Sequence, residues 1–210
     1  MNVSAEHFDN KARQWDSNPF AQERAIKIAD AIGAAVPLSP PMTALDYGCG
    51  TGLLSVPLKD KLGTITLMDS SSGMLAVLRE KITAQGIANM VVQPGDLTHT
   101  ALPDTHFDII YSSMTLHHIP DTGAILQRFH TLLKPGGVLC IADLDEEDGT
   151  FHDSDIGFHV HHGFNRTVLA EMAHKQGFVA VNFSTIFEVT KQRANGEQRY
   201  PVFLMVARRD

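Results

Sequence analysis

The 210 residues of this chain fit one domain of ordinary size, and a hydrophobic fraction of 43% suffices for a full core. A formal net charge of −7 argues against a nucleic-acid partner, since such proteins usually present a basic surface. Two cysteines cannot form a disulfide framework, which favours a reducing, cytoplasmic location. We expect neither a signal peptide nor a membrane span, because the sequence has no apolar N-terminal segment and no run of about 18 apolar residues.

Strand-like and helix-like segments alternate through the first two thirds of the chain. The first 35 residues are typical of helices, and the prolines of "PLSPPM" end that region. Five apolar, strand-like segments follow: "TALDYG", "TITLMD", "NMVVQPGD", "FDIIYSSM" and "GVLCIADL". The helical segments between them include "LLSVPLKDKL" and "TGAILQRFHTLLKPGG", which Pro-Gly-Gly should end. Because strands that alternate with helices form parallel sheets covered on both faces, the pattern predicts an α/β fold.

The pattern changes beyond Asp143. Residues 143–163 are rich in acids, glycines and histidines, and loops of this length in a compact domain are usually functional or disordered. A helix is predicted from Asn165, and two successive strands, "FVAVNFSTIFEVTK" and "YPVFLMVARR", are joined by the turn-like "RANGEQR". Two strands in succession predict an antiparallel pair at one edge of the sheet.

The glycine-rich loop "LDYGCGTG" follows the first predicted strand directly. In open α/β sheets, ligands bind beyond the carboxyl ends of the strands, and glycine lets a ligand approach bare backbone. Three successive strand ends carry an acid: Asp46, Asp69 and Asp96. One carboxylate can accept the two hydroxyls of a ribose and another the amine of an adenine, so a ligand with a ribose, an adenine and a cationic part would use all three.

These segments together resemble the class I S-adenosylmethionine-dependent methyltransferases. "LDYGCGTG", "MDSSSGML", "GDLTHTALPDTHFDIIYSSMTLHHI" and "LLKPGGVLCIADL" match that family in order and spacing over roughly residues 40 to 145. The resemblance implies methyl transfer from S-adenosylmethionine. It also implies a doubly wound three-layer α/β sandwich, whose seven-stranded sheet is mostly parallel with an antiparallel last strand. We expect a single methyltransferase domain over residues 1–210, with residues 1–36 as a helical lid and residues 143–163 as an acceptor-site loop.

The same resemblance implies three sets of cofactor contacts. The methionine part would be bound by the first strand, its loop and the fourth strand, through Asp46, Gly48, Gly50, Thr51 and Ser113. The adenosine part would be bound by residues that follow the second and third strands, namely Asp69, Ser70, Met74, Asp96 and Leu97. The segment "FDNKARQWD" is similar to one that folds over the cofactor, which implies lid roles for Phe8 and Trp15. Helix packing is an equally open interpretation of Trp15.

The acceptor is predicted to be a small molecule, methylated on oxygen, nitrogen, sulfur or carbon. After the fourth strand, "SSMTLHH" lacks the Asn/Asp-Pro-Pro-aromatic tetrapeptide of family members that methylate amino groups of nucleic acids and of protein glutamine. His117, and equally His118, can be a base or a helix-packing residue. Our candidate catalytic residues are His117, His161 and His162.

Residues 152–162 contain four of the eleven histidines, and three interpretations of them stay open. The favoured one is a wall of the substrate site in which one histidine takes a proton. The others are solvated histidines without a role, and a metal site that includes His159 and His161. Known zinc spacings are absent, so we expect no metal ligands.

Two other functions remain open from the sequence. A relative that binds the cofactor without catalysis, as a partner or scaffold, would carry the same motifs. A nicotinamide-dependent oxidoreductase has a related sheet, but its fingerprint is G-x-G-x-x-G and Asp96 would have no role in it. The sequence predicts no oligomeric state.

Overall fold

A computed structural model describes residues 3–100, 102, 106–152, 160–193 and 196–210. Within them, seven strands form one sheet in the order β3-β2-β1-β4-β5-β7-β6. The strands are β1 (Ala44–Tyr47), β2 (Ile65–Asp69), β3 (Met90–Pro94), β4 (Phe107–Ser113), β5 (Leu133–Leu144), β6 (Phe178–Arg193) and β7 (Gly196–Arg209). β7 runs antiparallel to both of its neighbours, and the pairs formed by β1 to β5 are parallel. The predicted fold class is confirmed.

Six α-helices and two short 3₁₀ turns occur in the described part of the chain. The helices are α1 (Val3–Trp15), α2 (Pro19–Ala35), α3 (Ser55–Leu58), α4 (Ser72–Gln85), α5 (Thr122–Leu132) and α6 (Arg166–Lys175), and the turns are Lys59–Lys61 and Leu116–His118. Side-chain oxygens of Asn18, Ser71, Asp121 and Asn165 cap α2, α4, α5 and α6. Gly86 ends α4 in the left-handed conformation.

Two apolar clusters lie on opposite faces of the sheet. Ile109 and Tyr111 of β4 belong to one cluster, and Ile110 between them belongs to the other. Because successive side chains of a strand point to opposite faces, helices must cover both sides, which gives the three layers. The strand order reverses beside β1, so the crevice for a ligand opens at the carboxyl ends of β1 and β4.

Three element boundaries differ from the sequence prediction. β5 begins at Leu133, so the Pro-Gly-Gly expected to end a helix lies inside a strand, and a register shift against β4 accommodates it. "LLSVPLKDKL" forms only a one-turn helix, α3, and a 3₁₀ turn. β6 and β7 reach Arg193 and Gly196, well into the predicted turn, because Lys191 and Gln198 continue the antiparallel pairing.

No helix within the described ranges has the length and the apolar character that crossing a membrane requires.

Candidate functional site

The glycine loop connects β1 to α3 at the carboxyl edge of the sheet. Gly48, Gly50 and Gly52 all have positive φ, at 71°, 53° and 76°. A Cβ on Gly48 would lie 2.3 Å from the Thr115 side chain, whereas the nearest atom to a Cβ on Gly50 is Met74 Sδ at 4.0 Å. Packing therefore demands glycine at position 48, and position 50 presents open backbone to a ligand.

We expect Gly48→Ala and Gly50→Ala to have different effects. Gly48→Ala should lower the free energy of unfolding by about 2–5 kcal/mol, because left-handed strain adds to a clash with Thr115. Gly50→Ala should cost only the strain, about 1–2 kcal/mol. It should nevertheless weaken S-adenosylhomocysteine binding about 5- to 150-fold, because its methyl group enters the ligand's space. Denaturant unfolding and calorimetric titration measure the two effects, and unchanged affinity in Gly50→Ala would contradict the second.

Asp69 ends β2 and joins the glycine loop to α4. Its Oδ2 accepts the Gly50 N–H and its Oδ1 accepts the Ser71 N–H, both at 2.8 Å. Burial raises the pKa of this carboxyl, and the backbone donors partly offset that effect. Each carboxylate oxygen has a second lone pair, so Asp69 can accept two further hydrogen bonds. That capacity fits the two hydroxyls of a ribose.

Asp46 and Asp96 have different surroundings. Asp46 is 1% exposed beneath the loop, where Ser55 Oγ donates to its Oδ2 at 2.7 Å, and burial raises its pKa to about 7. Asp96 is half-buried, and its Oδ1 accepts from the Tyr47 hydroxyl at 2.7 Å and the Thr98 N–H at 2.9 Å. Its second oxygen can accept from an amine of a ligand.

The N-terminal helix α1 lies against α4 at the same edge. Asp9 Oδ1 accepts from Ser71 Oγ at 2.6 Å and from the Gly73 N–H at 2.7 Å, so it binds the positive N-terminal end of α4. Asp16 accepts from Thr51 Oγ1 and pairs with Lys81 Nζ at 2.6 Å. Sequence reasoning missed both acids, of which Asp9 lies within α1 and Asp16 directly follows it.

Phe8 and Trp15, the predicted lid residues, are half-buried and in contact. Their ring centroids are 5.9 Å apart, and the Phe8 ring lies 5.4 Å from that of His118. Phe8 therefore reaches from α1 to the turn that follows β4.

If α1 closes over the cofactor, S-adenosylhomocysteine should slow trypsin cleavage after Lys11 and Arg13, which are both exposed. Cleavage after the exposed Arg199, in the β6–β7 hairpin, serves as the control and should not change. Gel or mass-spectrometric time courses measure both rates. Equal rates after Lys11 and Arg13 with and without ligand would favour simple helix packing.

Three histidines form what we call the histidine cluster: His117, His118 and His152. The ring centroid of His117 lies 4.0 Å from that of His118 and 5.1 Å from that of His152. The ring centroids of His118 and His152 lie 5.3 Å apart. Burial and the neighbouring histidines lower the pKa of His118 to about 2, so its ring is uncharged at neutral pH.

Asp143, near the end of β5, orients His117. Both side chains are buried, and Nδ1 of His117 lies 2.6 Å from Oδ1 of Asp143. The backbone N–H of His117 donates to Oδ2 of Asp143 at 3.3 Å. Because a carboxylate can only accept, Nδ1 carries the proton, and in the neutral imidazole Nε2 is the nitrogen with the lone pair.

The other two predicted catalytic histidines, His161 and His162, do not belong to this cluster. His161 donates its backbone N–H to His117 O at 2.7 Å, and its Nε2 lies 2.9 Å from Ile119 O, so it supports the turn after β4. His162 is exposed and lies against Gly149. His159 lies outside the described residues. The cluster instead includes His152, which sequence reasoning did not place with His117.

Comparisons with known proteins agree with this geometry. Residues 45–141 match the family model described as "Methyltransferase domain". The chain is 31% identical over 142 residues to trans-aconitate 2-methyltransferase of Deinococcus radiodurans, which covers 66% of this chain and 52% of that protein. The chain belongs to the class I S-adenosylmethionine-dependent methyltransferases. It spans about half the length, or less, of the curated relatives that it matches.

Solved structures of methyltransferases share the fold. A SAM-dependent methyltransferase from Aquifex aeolicus superposes with a TM-score of 0.67 at 19% identity, covering 94% of this chain and 97% of that chain. Phosphoethanolamine N-methyltransferase 2 of Haemonchus contortus, in complex with S-adenosyl-L-methionine, gives 0.71 at 19% identity and covers 89% of this chain and 52% of that one.

The glycine loop of this methyltransferase fits S-adenosylmethionine in two respects. The open backbone at Gly50 leaves room for a ligand, and Asp69 beside it keeps lone pairs for a ribose. Among the other predicted contacts, Thr51, Met74 and Leu97 are buried, Ser113 is half-buried and Ser70 is exposed. Cys49 in the loop is buried, and burial raises its pKa well above the usual range, which opposes a nucleophilic role.

Proposed function

We propose that this methyltransferase transfers the methyl group of S-adenosylmethionine to a small-molecule acceptor that binds beside the histidine cluster. The observation that carries the proposal is the position of that cluster. His117 follows β4, Asp143 is the next-to-last residue of β5, and Thr115, two residues before His117, packs on Gly48 of the glycine loop. Polar groups that can bind an acceptor thus lie next to the predicted cofactor site.

A small acceptor is supported by the way this region is covered. Phe8 of α1 lies on His118, and Phe151 lies near His117 with ring centroids 6.4 Å apart. In the proposed arrangement, the described part of residues 1–36 forms the lid, and the described parts of residues 143–163 form one side of the acceptor site. The names of the two relatives above, which cite trans-aconitate and phosphoethanolamine, support small acceptors as a class. The net charge of −7 disfavours nucleic acid.

The chain's own residues need only bind, orient and exclude water. When bound, the cofactor supplies the activated methyl group on its sulfonium sulfur. Asp143 fixes His117 as the tautomer whose Nε2 has a lone pair, and His118 is uncharged at neutral pH. Lone pairs of this kind can take a proton from the acceptor or hold its polar group.

The test is release of S-adenosylhomocysteine when the protein is given S-adenosylmethionine and a panel of small carboxylates, amines, phenols and thiols. We expect release well above the rate without an acceptor for at least one of them. Calorimetric binding of S-adenosylhomocysteine without release for any acceptor would instead support the cofactor-binding relative. Binding of NAD in place of S-adenosylhomocysteine would support the oxidoreductase.

A further inference from the structure

The histidine cluster brings together imidazole nitrogens from two separate parts of the chain, the turn after β4 and the segment after β5. One ring nitrogen from each of His117, His118 and His152 lies within 4.8 Å of the other two. We infer that these three imidazoles bind one divalent transition-metal ion, with Zn²⁺ as the best match. The inference deepens the proposed function and rests on it for the ion's role, since the ion would lie in the acceptor site.

The donor set is the one that catalytic zinc sites use. Such sites have three protein ligands with Zn–N bonds of about 2.0–2.1 Å, and they keep a fourth position for water or substrate. Tetrahedral geometry at that bond length puts the ligand nitrogens about 3.4 Å apart. Because the ring nitrogens lie within 4.8 Å of one another, side-chain rotations that shorten these separations by up to about 1.4 Å would complete the site. Imidazole is also a poor ligand for Mg²⁺ and Ca²⁺, which prefer oxygen.

Asp143 supplies the outer support that such sites have. Ligating histidines usually donate their second ring N–H to a carboxylate or carbonyl, which fixes the ring and makes it a better ligand. His117 does so through Nδ1, 2.6 Å from Asp143 Oδ1, and this leaves Nε2 for the ion. With the ion bound, the lone pair of Nε2 is used in coordination, so His117 would act on the acceptor through the ion and not as its proton acceptor.

Aromatic rings flank the cluster on two sides. Phe8 lies 5.4 Å from His118, and Phe151 lies 5.0 Å from His152, measured between ring centroids. An apolar shell limits access of water to a metal site and so strengthens its effect on a bound group. This site is not the metal site with His159 and His161 that the sequence left open. Nε2 of His161 lies within hydrogen-bond distance of Ile119 O.

An ion here would define the class of acceptor. Its fourth position would bind an acceptor through a hydroxyl, thiol, carboxylate or amine group, and coordination lowers the pKa of such a group. The acceptor would then be a molecule that can bind a metal beside the carbon, nitrogen, oxygen or sulfur that is methylated.

The experiment uses full-length protein without a polyhistidine tag, stripped with a chelator and dialysed. Titration with Zn²⁺ should show one site per chain, and Co²⁺ should give the visible absorption of a tetrahedral complex. His152→Ala and His118→Ala should each weaken Zn²⁺ binding at least about 100-fold, and Asp143→Asn about 10- to 100-fold. The exposed histidines provide matched controls, because His99→Ala and His106→Ala should bind Zn²⁺ as the wild type does.

S-adenosylhomocysteine binding, measured on the same samples, shows that each variant is folded. Less than one Zn²⁺ per wild-type chain, or equal Zn²⁺ affinity in folded His152→Ala, would overturn the inference. Methyl transfer that persists at full rate in metal-free protein would overturn the ion's role in the reaction and leave the proposed function intact. Tight, cluster-dependent Zn²⁺ binding without transfer to any acceptor would instead count against the proposed function alone.

Discussion

Replacement of Asp69 by alanine is expected to weaken S-adenosylhomocysteine binding about 10- to 150-fold, which corresponds to about 1.5–3 kcal/mol for hydrogen bonds to a charged group. Asp69 contributes in two ways. Its free lone pairs can accept the ribose hydroxyls, and its existing bonds hold Gly50 and Ser71, so that the loop is already shaped before the ligand arrives. Isothermal calorimetry at one pH measures the loss directly.

Asp60→Ala is the matched control, because Asp60 is exposed in the 3₁₀ turn after α3 and should leave the affinity unchanged. Asp69→Asn separates the two contributions. Its amide keeps one acceptor oxygen, so the loop keeps part of its support while a ribose loses one partner. Affinity equal to that of the wild type in Asp69→Ala would remove the ribose role, whatever the change in thermal stability.

The sheet was predictable because its strands have unambiguous local signals. The runs ending at Asp46, Asp69 and Ser113 are short, apolar and bounded by glycine or polar residues, as buried parallel strands are. The β5 boundary was not predictable in the same way. Leu133 pairs with Phe107 through a register shift, and this long-range contact starts β5 directly after α5, so that Pro-Gly-Gly lies within a strand despite its local tendency to form a turn.

The site was predictable only where its residues follow one another in sequence. The glycine loop and Asp69 belong to contiguous motifs, and the structure places them together. His117 and His152 are brought together by the path of the chain after β5, which periodicity does not reveal. The bonds of Asp9 to the start of α4 depend likewise on how α1 docks, since Ser71 and Gly73 lie over sixty residues away.

His117→Ala should lower the rate of methyl transfer about 10²- to 10⁴-fold, the usual contribution of a placed proton acceptor. His117 is the member of the cluster with the most defined orientation, because Asp143 binds both its ring and its backbone N–H. The loss should fall on turnover, since we expect other residues to bind the adenosine part of the cofactor. S-adenosylhomocysteine affinity should therefore change little.

Asp143→Asn should reproduce part of this effect. An amide can donate to Nδ1, which favours the other tautomer and moves the proton to Nε2, where the lone pair is needed. His106→Ala, an exposed histidine before β4, is the control and should retain wild-type turnover. A full rate in His117→Ala, with cofactor binding intact, would exclude proton transfer by this imidazole and any need for it as a metal ligand in the reaction. Turnover would then depend only on how the acceptor and the cofactor are oriented. Displacement at a sulfonium carbon permits this, because the leaving sulfur needs no proton.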